Sequence, residues 1–93
     1  MKKFFYRVNE GDSVVKLSAT FNIPPMRIIA LNGLLEEIES GDLLYLEQEE
    51  REIYIVKVGD SLEGLANEWK KPPSQILEEN NLPYLFVGAR IYK

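Results

Sequence analysis

The chain has 93 residues, a net charge of −4, and neither cysteine nor histidine. Those absences remove disulfide staples and the usual zinc and thiol chemistries, and the acidic balance argues against a nucleic-acid partner, which needs a basic footprint. No apolar run approaches the roughly 18 residues that a membrane span requires. The start, Met1-Lys2-Lys3-Phe4-Phe5-Tyr6, begins like a signal peptide, but Arg7, Asn9, Glu10 and Asp12 interrupt it before an apolar core forms. The chain is therefore expected either to be made without a leader or to be a fragment whose leader was removed.

Taken in order, Phe5 to Asn9 reads as a strand, with Tyr6 and Val8 on one face and Phe5 and Arg7 on the other. Gly11 permits the chain to turn, and Asp12 is expected to cap the helix that follows. Val14, Leu17, Ser18 and Phe21 recur at helical spacing and form its apolar stripe, which Asn22 closes. Pro24-Pro25 opens a second helix, to about Leu31, ended by Asn32-Gly33. Leu34 to Ser40 is a loop anchored by Leu34 and Ile38. Gly41-Asp42 turns the chain into a strand over Leu43–Leu46, which should pair antiparallel with the first.

Glu47 to Glu52 carries four Glu against one Arg and reads as a linker. The plan then repeats. Ile53 to Lys57 is a strand; Asp60 and Glu63 have capping-box spacing; Leu62, Leu65, Ala66 and Trp69 form a stripe. Pro72-Pro73-Ser74 opens a further helix to about Glu79, Asn80-Asn81 ends it, and Leu82-Pro83-Tyr84-Leu85-Phe86 leads to a closing strand over Arg90–Lys93. Displaced by 48 residues, eleven positions are identical: Tyr6/Tyr54, Val8/Val56, Gly11/Gly59, Asp12/Asp60, Ser13/Ser61, Leu17/Leu65, Pro24/Pro72, Pro25/Pro73, Ile28/Ile76, Asn32/Asn80 and Leu34/Leu82. After Leu34 the second copy is one residue shorter, and the register returns at Gly41/Gly88. The matches fall at turn, cap and core positions, as expected of an internal repeat. The fold class is thus α+β: two small β-α-α-β modules in tandem, 5–46 and 53–93, joined by the acidic linker 47–52. In each, two helices pack on a two-stranded antiparallel sheet, because a lone hairpin is marginal in water.

These residues resemble the LysM domain. The tyrosine–valine strand, the Gly-Asp-Ser turn, the apolar helix with a terminal aromatic, the Asn before Leu and the late Gly are all present twice. Departures are Pro24 and Pro72, where the family commonly has a Ser or Thr cap, Lys71 and Lys93 in place of apolar residues, and Ala89-Arg90 in the last turn. The resemblance implies non-catalytic binding of glycans that contain N-acetylglucosamine, in peptidoglycan, its spore-cortex variant or chitin. It implies a bacterial source, a place in the cell wall or spore envelope, and no cofactor or metal. The family's groove maps onto Gly11, Asp12, Ser13 and Val14 facing Leu34, Leu35, Glu36, Glu37 and Ile38. In the second module it maps onto Gly59, Asp60, Ser61 and Leu62 facing Leu82, Pro83, Tyr84 and Leu85.

Several residues carry two readings. Asp12 and Asp60 are helix caps before they are ligand contacts. Asn32 and Asn80 are expected to bond the adjoining loop backbone. Phe21 and Trp69 lie on helix stripes and read as core. Tyr84 lies off any stripe and offers either a face for a pyranose ring or a lid. Adjacent glutamates such as Glu36-Glu37 do not make the opposed carboxyl pair of a glycosidase, and no catalytic residue is assigned; they form a solvated acidic loop that disfavours anionic wall polymers. Phe4, Phe5, Val15 and Ile29 fall outside the expected core and read as exposed apolars or as a contact with the other module or a second copy. They support an alternative, an assembly module that binds a protein partner or self-associates without sugar.

Overall fold

The computed structural model describes residues 1–93. They form two compact units, Met1–Glu50 and Arg51–Lys93. The first unit contains β1 (Lys2–Arg7), α1 (Val14–Phe21), α2 (Pro25–Asn32) and β2 (Leu43–Gln48). The second contains β3 (Ile53–Ile55), α3 (Leu62–Trp69), α4 (Pro73–Glu79) and β4 (Arg90–Tyr92). Each is the expected β-α-α-β arrangement on a two-stranded antiparallel sheet.

In the first unit, Tyr6 stands opposite Leu44 and Phe4 opposite Leu46. This face meets the stripe of α1 and Ile28 of α2, and Val8, Leu17, Ile23, Ile28, Leu44 and Leu46 close into one core. Phe21 covers its rim, with ring centroids 5.3 Å from Phe4 and 5.4 Å from Tyr6. Phe4 and Ile29 also pack against this core, which corrects their assignment to the surface; Phe5 and Val15 are exposed. Phe4 joins the core because the strand begins earlier than its alternation suggests. β1 starts at Lys2, since β2 runs on to Gln48 and pairs Lys3 with Glu47 and Lys2 with Gln48. Glu47 and Gln48 therefore belong to a strand rather than to the linker. Arg27 pairs with Glu47 at 3.0 Å, and Gln48 Nε2 donates to the Phe21 carbonyl at 2.7 Å.

β1 and β3 end sooner than expected, at Arg7 and Ile55. Beyond those ends both modules use the same two bonds. Val8 N donates to Asp42 O and Gly41 N to Val8 O. Val56 N likewise donates to Ala89 O and Gly88 N to Val56 O. Ala89 thus takes the place of Asp42 without changing the backbone frame.

The helix caps are shifted by one residue from expectation. Ser13 Oγ accepts from Lys16 N at 3.1 Å, and Ser61 Oγ from Gly64 N at 3.0 Å. Asp12 and Asp60 are not the caps, and Asp60/Glu63 is not a capping box. A Cβ on Gly64 would lie 2.9 Å from Ser61 Oγ, a contact that a small shift of the hydroxyl relieves, since Lys16 fills the same position beneath Ser13. Pro24 and Pro72 start α2 and α4 without a side-chain cap. α1 ends on Asn22 in the left-handed region, but its counterpart after α3 is Lys70 at φ 56°. A lysine pays a steric penalty there that glycine avoids. Lys70→Gly is expected to stabilise the second unit by about 1 kcal/mol, read as a raised urea midpoint of Trp69 fluorescence. A lowered midpoint would refute the strain argument.

Each second helix is tied to its sheet by an asparagine. Asn32 Nδ2 donates to Ile28 O and Tyr45 O, both at 2.9 Å, and Asn32 Oδ1 accepts from Tyr45 N at 2.7 Å. Asn80 Nδ2 donates to Ile76 O at 2.7 Å, and Asn80 Oδ1 accepts from Tyr92 N at 2.8 Å. The amide bonds the closing strand rather than the adjoining loop, which corrects the sequence reading. The modules differ at the helix junction. Where the first buries Ile23, the second has Lys71, 3.3 Å from Glu79, which also pairs with Arg51 at 3.0 Å. Lys71 thereby substitutes an ion pair for an apolar contact.

Candidate functional site

In the first module the turn before α1 is built by Asp12. Its Oδ2 accepts from Asn9 N at 2.8 Å and from the Tyr6 hydroxyl at 2.7 Å, while Gly11 takes φ +87°. The second module repeats this: Asp60 Oδ2 accepts from Lys57 N at 2.8 Å and the Tyr54 hydroxyl at 2.5 Å. The Tyr54 hydroxyl, followed by the Lys57 N–H, holds the Asp60 carboxyl below its ordinary range. The same bond pushes the Tyr54 phenol up to about 12. The Tyr6 bond lowers Asp12 in the same way.

These shifts set a pH dependence. The Asp60 contribution is fully present above about pH 4, the ordinary Asp value, and is lost as pH falls through its lower folded value. The Tyr54 contribution is present below about pH 10 and is lost as pH rises through about 12. Tyr54→Phe is therefore expected to lower stability at pH 7 but hardly at pH 2, flattening the acid limb of a plot of urea midpoint against pH. An unchanged slope would exclude this pair as its source.

The turn places Val14 against the loop after α2. A cavity of about 330 Å³ lies between them, lined by Val14, Val15, Pro25, Ile29, Leu34, Leu35, Glu36 and Glu37. Leu35 is 97% exposed. Glu37 crosses from one wall to the other, its Oε1 accepting from Val14 N at 3.5 Å and from Ile38 N at 3.3 Å. Of the expected residues, Val14, Leu34, Leu35, Glu36 and Glu37 meet here. Gly11, Asp12 and Ser13 shape the turn behind the wall, and Ile38 is buried in the core. Val15, Pro25 and Ile29 were missed as lining. Their signal was apolar character off the helix stripe, which reads equally as surface. A second cavity of about 440 Å³ on the same loop is bordered by Glu36, Glu37, Glu39 and Asp42.

In the second module Leu62 is half-buried and Leu82 buried, and Leu85 is half-buried. Tyr84 is 65% exposed and meets Phe86 edge-on at 6.1 Å. The turn bonds align Glu39 with Phe86, through Asp42 N to Glu39 O and Ala89 N to Phe86 O. The loop of the second module is one residue shorter before that point, and it carries Tyr84 but no carboxylate where the first has Glu36-Glu37. Trp69 is half-buried and packs edge-on against Tyr54 at 5.2 Å, a packing role. A cavity of about 410 Å³ in this module, lined by Glu63, Ala66, Asn67, Lys70, Lys71 and Pro73, contains none of the expected wall residues. No helix is long and apolar enough to cross a membrane.

The sequence pattern of the LysM domain matches residues 6–48 and again residues 54–92. The chain belongs to the LysM domain family. It is a tandem LysM protein, and LysM domains bind glycans that contain N-acetylglucosamine. No match is found among curated proteins. Among solved structures the tandem LysM chain is similar to the Bacillus cereus spore cortex-lytic enzyme SleL, at 29% identity over 98% of this chain and 22% of that one, with a TM-score of 0.48. It is also similar to the Bacillus megaterium QM B1551 spore cortex-lytic enzyme SleL, at 26% identity over 96% of this chain and 22% of that one, with a TM-score of 0.46. The two LysM modules thus span 22% of the length of each enzyme chain.

Proposed function

We propose that this chain binds N-acetylglucosamine polymers without cleaving them, and that it holds its bearer to a cell wall or spore envelope. Peptidoglycan, its spore-cortex form and chitin share the chemistry required. The observation that carries the reading is the doubled LysM pattern. In the first module it coincides with a groove that sets apolar side chains beside the Val14 N–H, which a long 3.5 Å bond to Glu37 covers and a sugar amide would have to displace. Such a groove suits an acetylated amino sugar, whose ring face and methyl want apolar cover while its amide wants hydrogen bonds. Two linked modules that reach one glycan gain effective concentration, so weak sites can add to useful avidity.

The test is titration of the ¹⁵N-labelled chain with chito-oligosaccharides and muropeptides. Amide shifts are expected at Val14 and Leu34–Ile38, and at Gly59–Leu62 and Leu82–Leu85. No shift at millimolar sugar would remove the reading. Tyr84→Ala is expected to weaken the second module about fivefold to tenfold, the scale of one aromatic contact; an unchanged affinity would dismiss ring stacking at Tyr84.

A second reading has its own observation. On the outer face of the first sheet Phe5 and Leu43 are exposed, with the Phe5 ring 5.6 Å from that of Tyr45. Self-association through this face would appear in sedimentation as a dimer that Phe5→Ser disperses.

A further inference from the structure

We propose that Glu37 makes the first module selective for glucosamine with a free 2-amino group over N-acetylglucosamine, while the second module keeps the acetylated sugar. The inference rests on the glycan-binding reading and refines it. It starts from an exposed carboxylate at the groove that makes long contacts to both walls. Glu37 Oε1 is held by two backbone N–H groups, Val14 at 3.5 Å and Ile38 at 3.3 Å, one from each wall. Its Oε2 has no protein partner. The residues lining the groove include no Lys or Arg to neutralise the charge.

This arrangement acts twice on a sugar. Glu37 already occupies the Val14 N–H, a donor that an acetamide carbonyl would otherwise use; the bond is long, so displacing it is possible but unfavourable. Its free oxygen meanwhile offers an anionic acceptor. An acetamide supplies one neutral N–H to that acceptor. A 2-ammonium group supplies a full charge and three donors, and charge-assisted hydrogen bonds are the stronger kind. Val15, Pro25 and Ile29 remain to cover the ring face, which the two sugars share. The corresponding loop of the second module, Leu82-Pro83-Tyr84-Leu85-Phe86, has no carboxylate, so the selectivity should not follow there. Because Glu37 is exposed, the preference is expected to be modest, about fivefold at most.

The experiment titrates the full ¹⁵N-labelled chain with two probes, chitotetraose and its fully de-N-acetylated tetramer, at near-physiological salt. The Val14 and Ile38 amides, the partners of Glu37, read the first module; Leu62 and Tyr84 read the second. Expected is a several-fold tighter response of the first module to the amino tetramer, abolished in Glu37→Gln. That variant keeps a carbonyl for both N–H groups and so keeps the fold. Glu50→Gln, a carboxylate outside the groove, should leave the preference intact. An equal response to both sugars, or a preference that survives Glu37→Gln or disappears with Glu50→Gln, overturns the inference while leaving acetylated-sugar binding at the second module standing. Silence of both modules toward both sugars overturns the glycan reading, and the inference with it.

Discussion

Asn80→Ala is expected to destabilise the second unit by about 2–4 kcal/mol, because two buried hydrogen-bonding groups lose their partner at once. Asn80 is 0% exposed. Its removal leaves the Tyr92 N–H and the Ile76 carbonyl facing an empty space, and each unsatisfied buried group costs roughly 1–3 kcal/mol. β4 is only three residues long, so few other bonds hold it. A core of this size rarely supplies more than about 3–5 kcal/mol, and the variant should be largely unfolded at room temperature. Trp69 is the sole tryptophan and lies in this unit, so its fluorescence during urea titration reports the loss directly. Asn32→Ala in the first unit removes an equivalent clamp at a half-buried position. Water can reach the orphaned groups there, and the cost should be smaller. If the two variants lose equal stability, burial is not what makes the clamp matter.

That clamp marks the limit of what the residues reveal by themselves. Asn32 and Asn80 could be seen to end helices, since Asn tolerates helix termini, but their strand partners are 13 and 12 residues away. A local reading assigned them to the nearest loop. The same limit displaced the caps. Asp and Ser are adjacent and both favour the N-cap; what separates them is the Tyr6 and Tyr54 hydroxyls, six residues back, which draw the carboxylate into the turn and leave the cap to serine. Strand ends failed for a related reason. Nothing local in Glu47-Gln48 says strand, and only the presence of Lys2 and Lys3 opposite makes it one. The features that were legible are those fixed by short-range physics: the alternation of Tyr6 and Val8, the helical spacing of Leu17 and Phe21, and the repeat that doubled every signal. Val14 and Leu34–Glu37 of the cavity lining were named through family resemblance, but Val15 and Ile29 were not, because an apolar residue off the core stripe has the same pattern whether it lines a cavity or faces water.

Ile28→Ala should have a comparable effect in the first unit, about 2–5 kcal/mol, the usual range for emptying a fully buried isoleucine site. Ile28 is 0% exposed and sits in one cluster with Leu17, Ile23, Leu44 and Leu46, where α1, α2 and β2 converge. The small unit has little capacity to collapse around the vacated space, so the upper half of that range is expected. The effect should be visible as lost hydrogen-exchange protection at the Leu44 and Leu46 amides. Ile28→Val, which removes one methyl group, should cost about 0.5–1.5 kcal/mol and leave the unit folded. The pair of variants separates stability from binding. Pro25 and Ile29 on the same helix line the groove, and Val14 on the opposite wall joins the Ile28 cluster, so Ile28→Ala should abolish glycan shifts in this module by unfolding it. Ile28→Val should preserve them, since the cavity it opens lies in the core and not at the groove wall. If Ile28→Val lost binding while protection at Leu44 stayed high, the groove would depend on a finer alignment of α2 than a folded core alone provides, and Pro25 and Ile29 would be the residues to substitute next.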